Sequence, residues 1–268
     1  MTMLHSQPRV DVDQVVAVDG VSVTFRGKRT STQALGEVDL TVRRGEFVSI
    51  VGPSGCGKST LLKVVAGLVR PTTGSVLLHG EQVLGPRQDI GYVFQRAALL
   101  DWRTAEGNIL LQAEMRGMDM AAARRRCAEL IEITGLSGFE RAMPHELSGG
   151  MQQRVSLCRA LLHEPDVLLM DEPFGALDAL TRERMNVELH RVCRETGVTV
   201  LLVTHSVPEA VYLGHRVLAM GPRPGRVIEE LTVDIPGERD YATTLTTPEF
   251  QRVSGRVRAL LGSPQGGD

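Results

Sequence analysis

The chain lacks what several protein classes require. No apolar run approaches the ~20 residues that a membrane-crossing helix needs. Met1 to Arg9 has none of the apolar stretch of a secretory signal, so the protein is expected to be soluble by itself. Neither sign of charge is in excess: 30 basic and 32 acidic residues leave a net charge of -2. That balance argues against a nucleic-acid surface, which needs a clustered basic surplus. Cysteine is scarce, and Cys56, Cys127, Cys158 and Cys193 stand far apart without paired metal-ligand spacing. They read as reduced thiols of a cytosolic protein. Internal repeats and low-complexity tracts are also missing. What is present is 268 residues, 42% of them hydrophobic, enough for one large domain or two intimately packed subdomains.

The first strong motif is Gly52-Pro53-Ser54-Gly55-Cys56-Gly57-Lys58-Ser59. It joins a β-branched and aromatic run, Glu46 to Val51, to a stretch of helical apolar spacing from Lys58 to Leu68. Glycines at 52, 55 and 57 allow positive φ and turn backbone N–H groups toward a phosphate, and the helix N-terminus adds partial positive charge. Pro53, Ser54, Cys56 and Thr60 are taken as part of the same cradle. Lys58 supplies a point charge to β- and γ-phosphates, and the Ser59 hydroxyl suits Mg2+. Cys56, among loop amides and beside Lys58, is expected to be the most reactive thiol.

Apolar patterning outlines the rest. Val21, Val23 and Phe25 alternate with polar residues, as do Val38, Leu40 and Val42, which predicts an antiparallel layer with one wet face within Gln14 to Val51. Short strands are expected at Ser75 to Leu78 and Ile90 to Phe94. From Arg96 to about His163 the chain reads as a helical insert, with Ala123, Cys127, Leu130 and Ile131 on one face and the arginines of 124–126 on a solvated one. Val167 to Met170 and Val198 to Val203 are apolar almost throughout, the signature of parallel strands buried on both faces. Met185, Leu189 and Val192 keep helical spacing between them. A strand at Arg226 to Val233 and a helix near Pro248 to Leu261 are expected in the tail. Residues 1–13 are expected to be flexible and 263–268 disordered, bounding a domain at 14–262 with a helical subdomain at 96–163 and a C-terminal extension at 221–262.

In a parallel sheet, ligands bind beyond the carboxyl ends of the strands. Four apolar runs end in suitable groups: Val51 enters the phosphate loop, Phe94 precedes Gln95, Met170 precedes Asp171-Glu172, and Thr204 precedes His205. Asp171 is placed to complete a Mg2+ shell and Glu172 to polarise an attacking water. His205 can donate to a γ-phosphate. Gln95 can offer an oxygen to Mg2+ or the water. Phe25 either stacks on adenine or is a core aromatic. Ser148-Gly149-Gly150 opens a helix, with Ser148 as N-cap and glycines that let a ligand near the backbone. An ordinary capped helix would look the same, but its distance in sequence from the phosphate loop suggests a phosphate contact supplied across a dimer.

Over about Val16 to Met220 the chain resembles the ATP-binding subunit of ABC transporters. The motifs occur in family order: aromatic Phe25, Walker A at Gly52 to Ser59, Q-loop Gln95, signature Leu147 to Gln152, Walker B Val167 to Glu172, D-loop Gly175 to Asp178, and switch His205. The resemblance implies an α/β P-loop fold of ABC type: a mostly parallel core sheet, an N-terminal antiparallel layer and an inserted helical subdomain. It implies ATP hydrolysis to ADP and phosphate with Mg2+. It further implies a head-to-tail homodimer sandwiching two ATP, each bound by Walker A of one copy and Ser148-Gly149-Gly150 of the other, with Asp178 at the site. Leu99-Leu100-Asp101-Trp102-Arg103-Thr104, Met151, the run Met170 to Asp178 with Leu180-Thr181-Arg182, and Pro224-Gly225-Arg226 resemble the nitrate, sulfonate and taurine importer branch.

The expected function is therefore the energy-coupling ATPase of a bacterial importer for a small anion. Its expected partners are membrane permease subunits and, indirectly, a solute-binding protein, but not nucleic acid. The expected location is the cytoplasmic side of the inner membrane, where Leu99, Leu100 and Trp102 would dock on the permease, the alternative, above all for the two leucines, being packing within their own helical subdomain. A soluble ABC-type ATPase, or an importer of another solute such as a vitamin precursor, are the alternatives.

Overall fold

Strands whose residues alternate between two buried faces need apolar side chains at nearly every position, which the runs at 47–51, 167–171 and 199–203 provide apart from Ser49, Asp171 and Thr199. The computed structural model describes residues 13–27, 30–175, 177–235 and 239–262. The segments expected to be flexible (1–13, except Asp13) and disordered (263–268) lie outside the described residues, as do Ala176 of the D-loop motif and 236–238.

In chain order the elements are β1 (Gln14–Arg26), β2 (Ser31–Arg43), β3 (Phe47–Val51), α1 (Lys58–Val65), β4 (Thr73–Leu78), β5 (Glu81–Gln82) and β6 (Ile90–Val93). Then follow α2 (Ala105–Arg116), α3 (Met120–Ile133), α4 (Gly149–Leu161), β7 (Val167–Asp171), α5 (Ala179–Thr196), β8 (Thr199–Val203) and α6 (Val207–Leu213). The chain finishes with β9 (Arg216–Met220), β10 (Val227–Thr232), α7 (Tyr241–Thr244) and α8 (Pro248–Gly262).

Among the described residues the strands form two sheets. The antiparallel one has the order β2-β1-β4-β5, and the core sheet β10-β9-β3-β8-β7-β6, in which only β10 runs antiparallel to its neighbour. The two faces of the core sheet feed two apolar clusters. Val48, Ile50, Val167, Leu169, Leu201 and Val203 join the antiparallel sheet and α1 in one. Phe47, Val51, Leu168, Met170, Val200 and Leu202 join the helices in the other. Each fully buried leucine or valine of this kind contributes roughly 1.5–3 kcal/mol, so the sheet that carries the site is held by apolar packing on both of its faces.

The helical insert comprises α2, α3 and α4, capped by Thr104, Asp119 and Ser148, whose side chains each accept from a first-turn backbone N–H. Ala123, Cys127, Leu130 and Ile131 form the buried face of α3. Residues 96–104 are not helical, because Asn108 holds them as a loop: its Oδ1 accepts from Leu100 N at 2.7 Å and its Nδ2 donates to Leu100, Arg103 and Thr104 carbonyls. Helix α1 stops at Val65 rather than Leu68 because Gly67 adopts φ 71°. The sequence pattern left β9 unassigned, although it is the parallel neighbour of β3. At the C-terminal end, Phe250, Val253 and Val257 of α8 enter the helical-side core. Buried Arg239 donates to the Tyr212 and Gly214 carbonyls while Tyr212 Oη returns a bond to Arg239 O.

Candidate functional site

The loop between β3 and α1 walls a cavity of about 290 Å3 lined by Phe25, Thr32, Ala34, Ser54, Gly55, Gly57, Lys58, Ser59, Thr60, Gln95, Glu172 and Arg223. Gly55 and Gly57 have φ of 73° and 114°, a region that disfavours side chains. Gly52 does not share that conformation. Its glycine requirement is steric instead, since a Cβ there would meet Met220 O at 2.9 Å and Cys56 Sγ at 3.1 Å. Lys58, 5% exposed, donates from Nζ to the carbonyls of Gly52 (2.9 Å) and Pro53 (3.0 Å), which bends the ammonium back across the loop. Gly57 caps α1 without a side-chain bond, so the helix opens with backbone N–H groups at the cavity.

Three strand ends meet this loop. Ser59 Oγ donates to Asp171 Oδ1 at 2.7 Å, which joins the start of α1 to the end of β7. Glu172 Oε2 receives Gln95 Nε2 at 3.4 Å and lies 3.3 Å from His205 Nδ1, so the residues after β6, β7 and β8 converge on one carboxylate oxygen. Glu172 has φ 47°, a strained conformation for a non-glycine residue, with its backbone N held by Val203 O at 2.9 Å. A hydroxyl, a carboxylate and an amide oxygen, from Ser59, Asp171 and Gln95, are the hard donors that Mg2+ prefers, and the 2.7 Å approach of the first two fits a shared cation.

Phe25 lies at the cavity wall and is 48% exposed, which removes the core alternative left open by its sequence pattern. Ser148, Gly149 and Gly150 are not among the cavity's lining residues. Ser148 and Gly149 are exposed, and Ser148 Oγ accepts from Met151 N at 3.3 Å. Asp178 likewise stands apart: it caps α5 by accepting from Thr181 N at 3.0 Å, and the Thr181 hydroxyl together with that backbone N–H holds its carboxyl below the usual range.

One expectation is overturned. The Cys56 thiol is 1% exposed and belongs to the apolar cluster beneath the antiparallel sheet, so it faces away from the phosphate cradle. The loop's backbone geometry, not the proximity of Lys58 in sequence, decides the direction of that side chain. Cys193 is the partly exposed cysteine, although burial still pushes its thiol up to about 12.

Several supporting residues had no sequence signal. Gln153 of α4 is buried, and its Nε2 lies 2.5 Å from Pro173 O, 3.2 Å from Phe94 O and 3.3 Å from Gln95 O. One amide thus fastens the signature helix to both the Gln95 loop and the loop after Glu172. Thr204 Oγ1 donates to Glu209 Oε2 and accepts from Ser206 N at 3.0 Å, which braces the backbone around His205. Burial raises the Glu209 carboxyl to about 7 against the lowering effect of the Thr204 bond. Repeated Gln and Glu are unremarkable in a helix, so only their neighbours mark these two.

The profile of the ABC transporter family matches residues 35–175. Taurine import ATP-binding protein TauB of Jannaschia sp. (strain CCS1) is 43% identical over 86% of this chain and 87% of its own length. Aliphatic sulfonates import ATP-binding protein SsuB of Bacillus licheniformis is 44% identical over 84% and 86%. Nitrate import ATP-binding protein NrtD of Synechocystis sp. is 41% identical over 88% and 91%. Among solved structures, a dimeric ATP-binding cassette in a post-hydrolysis state with ADP and Pi superimposes with a TM-score of 0.72 at 34% identity, covering 82% of this chain and all of that one. With a phosphate loop, a strand-end carboxylate cluster and these relatives along most of its length, the chain belongs to the ABC transporter family, as an ATP-binding ATPase subunit.

Proposed function

We propose that this protein is the energy-coupling ATPase of an importer for a small anion of the sulfonate or nitrate class. The convergence of Gln95 and His205 on Glu172 Oε2, at the wall of the phosphate-loop cavity, carries the hydrolytic part of the reading. In it the loop amides and Lys58 hold the β- and γ-phosphates, and Phe25 packs on the adenine. Glu172 accepts a proton from water as its oxygen attacks the γ-phosphorus and the bond to the β–γ bridging oxygen breaks. Gln95 and His205 orient that carboxylate, and His205 can present Nε2 to the γ-phosphate. Ser59, Asp171 and Gln95 would hold Mg2+, which when bound offsets phosphate charge.

Because Ser148, Gly149 and Gly150 lie outside the cavity of their own chain, a phosphate contact from them requires a second copy. A head-to-tail dimer follows as part of the proposal, supported by the dimeric cassette to which the chain is similar. Among the described residues no helix is long and apolar enough to cross a membrane, so transport needs permease subunits, with this chain at their cytoplasmic face. Trp102, 73% exposed just before α2, suits that contact, whereas Leu99 is partly buried within its own subdomain. The solute class rests on the names of the relatives.

The test is Glu172→Gln in the full-length protein. It should bind MgATP, hydrolyse it at least tenfold more slowly, and accumulate as an ATP-bound dimer in size-exclusion chromatography. Near-normal turnover would exclude the role given to Glu172. Co-expression with its permease and binding protein, followed by uptake of labelled taurine or nitrate, tests the solute class.

A further inference from the structure

Among the lining residues of the nucleotide cavity that lie outside the sequence motifs, Thr32, Ala34 and Arg223, the last is the one with a charged side chain. It sits in the link between β9 and β10, Gly221-Pro222-Arg223-Pro224-Gly225-Arg226. Its Nε and Nη2 both donate to Gly55 O, at 3.1 and 2.9 Å, which fixes the plane of the guanidinium against the phosphate loop. The link is itself tied down: Gly225 N donates to Ala34 O (3.1 Å), Gly36 N to Gly225 O (2.9 Å) and Gly221 N to Arg226 O (2.9 Å). No carboxylate among the described residues forms an ion pair with Arg223. Glu172 is the only acidic lining residue of the cavity.

A guanidinium has five N–H donors in a rigid fork and stays charged. Two groups on one carbonyl leave the remaining N–H groups and the positive charge at a cavity that Arg223 itself lines together with Lys58 and the start of α1. An unneutralised, pre-oriented fork beside such a loop matches a non-bridging phosphate oxygen. We propose that Arg223 is a nucleotide-phosphate contact, delivered to the Walker A loop from the C-terminal part of the chain. The proposal rests on the ATP-site reading above.

Arg223→Gln tests it, because the glutamine amide can keep a bond to Gly55 O while the charge and the second edge are lost. Affinities of the purified full-length variant for ATP, ADP and adenosine are measured by titration calorimetry at 0.05 and 0.5 M salt, beside wild type and Lys58→Ala. The expected result is about tenfold weaker ATP and ADP binding at low salt, equivalent to about 1.4 kcal/mol. The difference should shrink at high salt, with adenosine affinity and melting temperature unchanged. Arg223→Ala should reproduce the loss if the glutamine variant does not fold. Unchanged ATP and ADP affinity would overturn the proposal, and so would equal weakening for adenosine, which would indicate a base contact or a collapsed loop. If Lys58→Ala loses ATP while Arg223→Gln binds like wild type, only this inference fails. If wild type binds no adenine nucleotide, the ATP-site reading fails with it.

Discussion

Gly225 offers a test of how the C-terminal link sets the phosphate loop. A Cβ at this position would lie 2.0 Å from Cys56 O, 3.1 Å from Cys56 C and 3.0 Å from Met220 Cε. The methionine methyl can move aside, but the carbonyl cannot do so cheaply. Its loop is wedged on the other side, where a Cβ on Gly57 would already be 2.6 Å from Ala34 O and from Leu35 Cδ2. Reaching ordinary contact, 3.4 Å or more, requires the link and the loop to part by over an ångström. Gly225 does not occupy the left-handed region, so alanine brings no backbone strain of its own there. The whole effect is steric. Overpacking of this kind costs roughly 1–3 kcal/mol, and misplacement of a reacting geometry by about 1 Å costs on the order of a hundredfold in rate. Gly225→Ala should therefore lose about two orders of magnitude in ATPase kcat/KM, weaken ATP binding and melt several degrees lower. Gly221→Ala, in the same link, is the control: its nearest neighbours would be the Ile228 side-chain carbons at 3.8 Å. ATPase rates, nucleotide titration and thermal melts on both variants decide the matter. Equal behaviour of the two variants, or a lower melting point with unaltered nucleotide affinity, would refute the idea that this link positions the loop.

Three further outcomes are expected. Burial raises the Glu209 carboxyl to about 7, so the folded protein retains a proton that the unfolded chain releases, and stability falls as pH rises from the ordinary carboxylate range through 7. Glu209→Gln should match wild type near pH 4.5 and gain on the order of 3 kcal/mol by pH 8; a pH-independent difference in thermal melts would contradict this. Maleimide should label Cys193 before the buried Cys56, Cys127 and Cys158, and slowly, because burial raises the Cys193 thiol; peptide mapping that finds Cys56 first would restore the orientation expected from the sequence. Trp102→Ala should keep ATP affinity and lose co-purification with the permease, and undiminished co-purification would place the docking surface elsewhere.

By itself the sequence determined whatever depends on neighbours along the chain. The phosphate loop was legible because glycines, lysine and serine at fixed spacing between a strand and a helix allow few other backbone paths. The parallel strands were legible because burial on both faces leaves few polar positions, Ser49 and Thr199 among them, and the face of α3 because its apolar residues recur with the helical period. Only the tertiary structure decided which distant groups meet. The backbone turns Cys56 into the core and Phe25 onto the cavity wall, against or beyond what spacing implied. Gln153, Glu209 and Arg223 gain their places from carbonyls and hydroxyls on other elements, and Gly225 from one atom of Cys56. Such contacts are set by packing of sheet, insert and C-terminal link at ångström precision, and a periodic pattern of apolar residues specifies which face is buried without specifying the atom that lies against it.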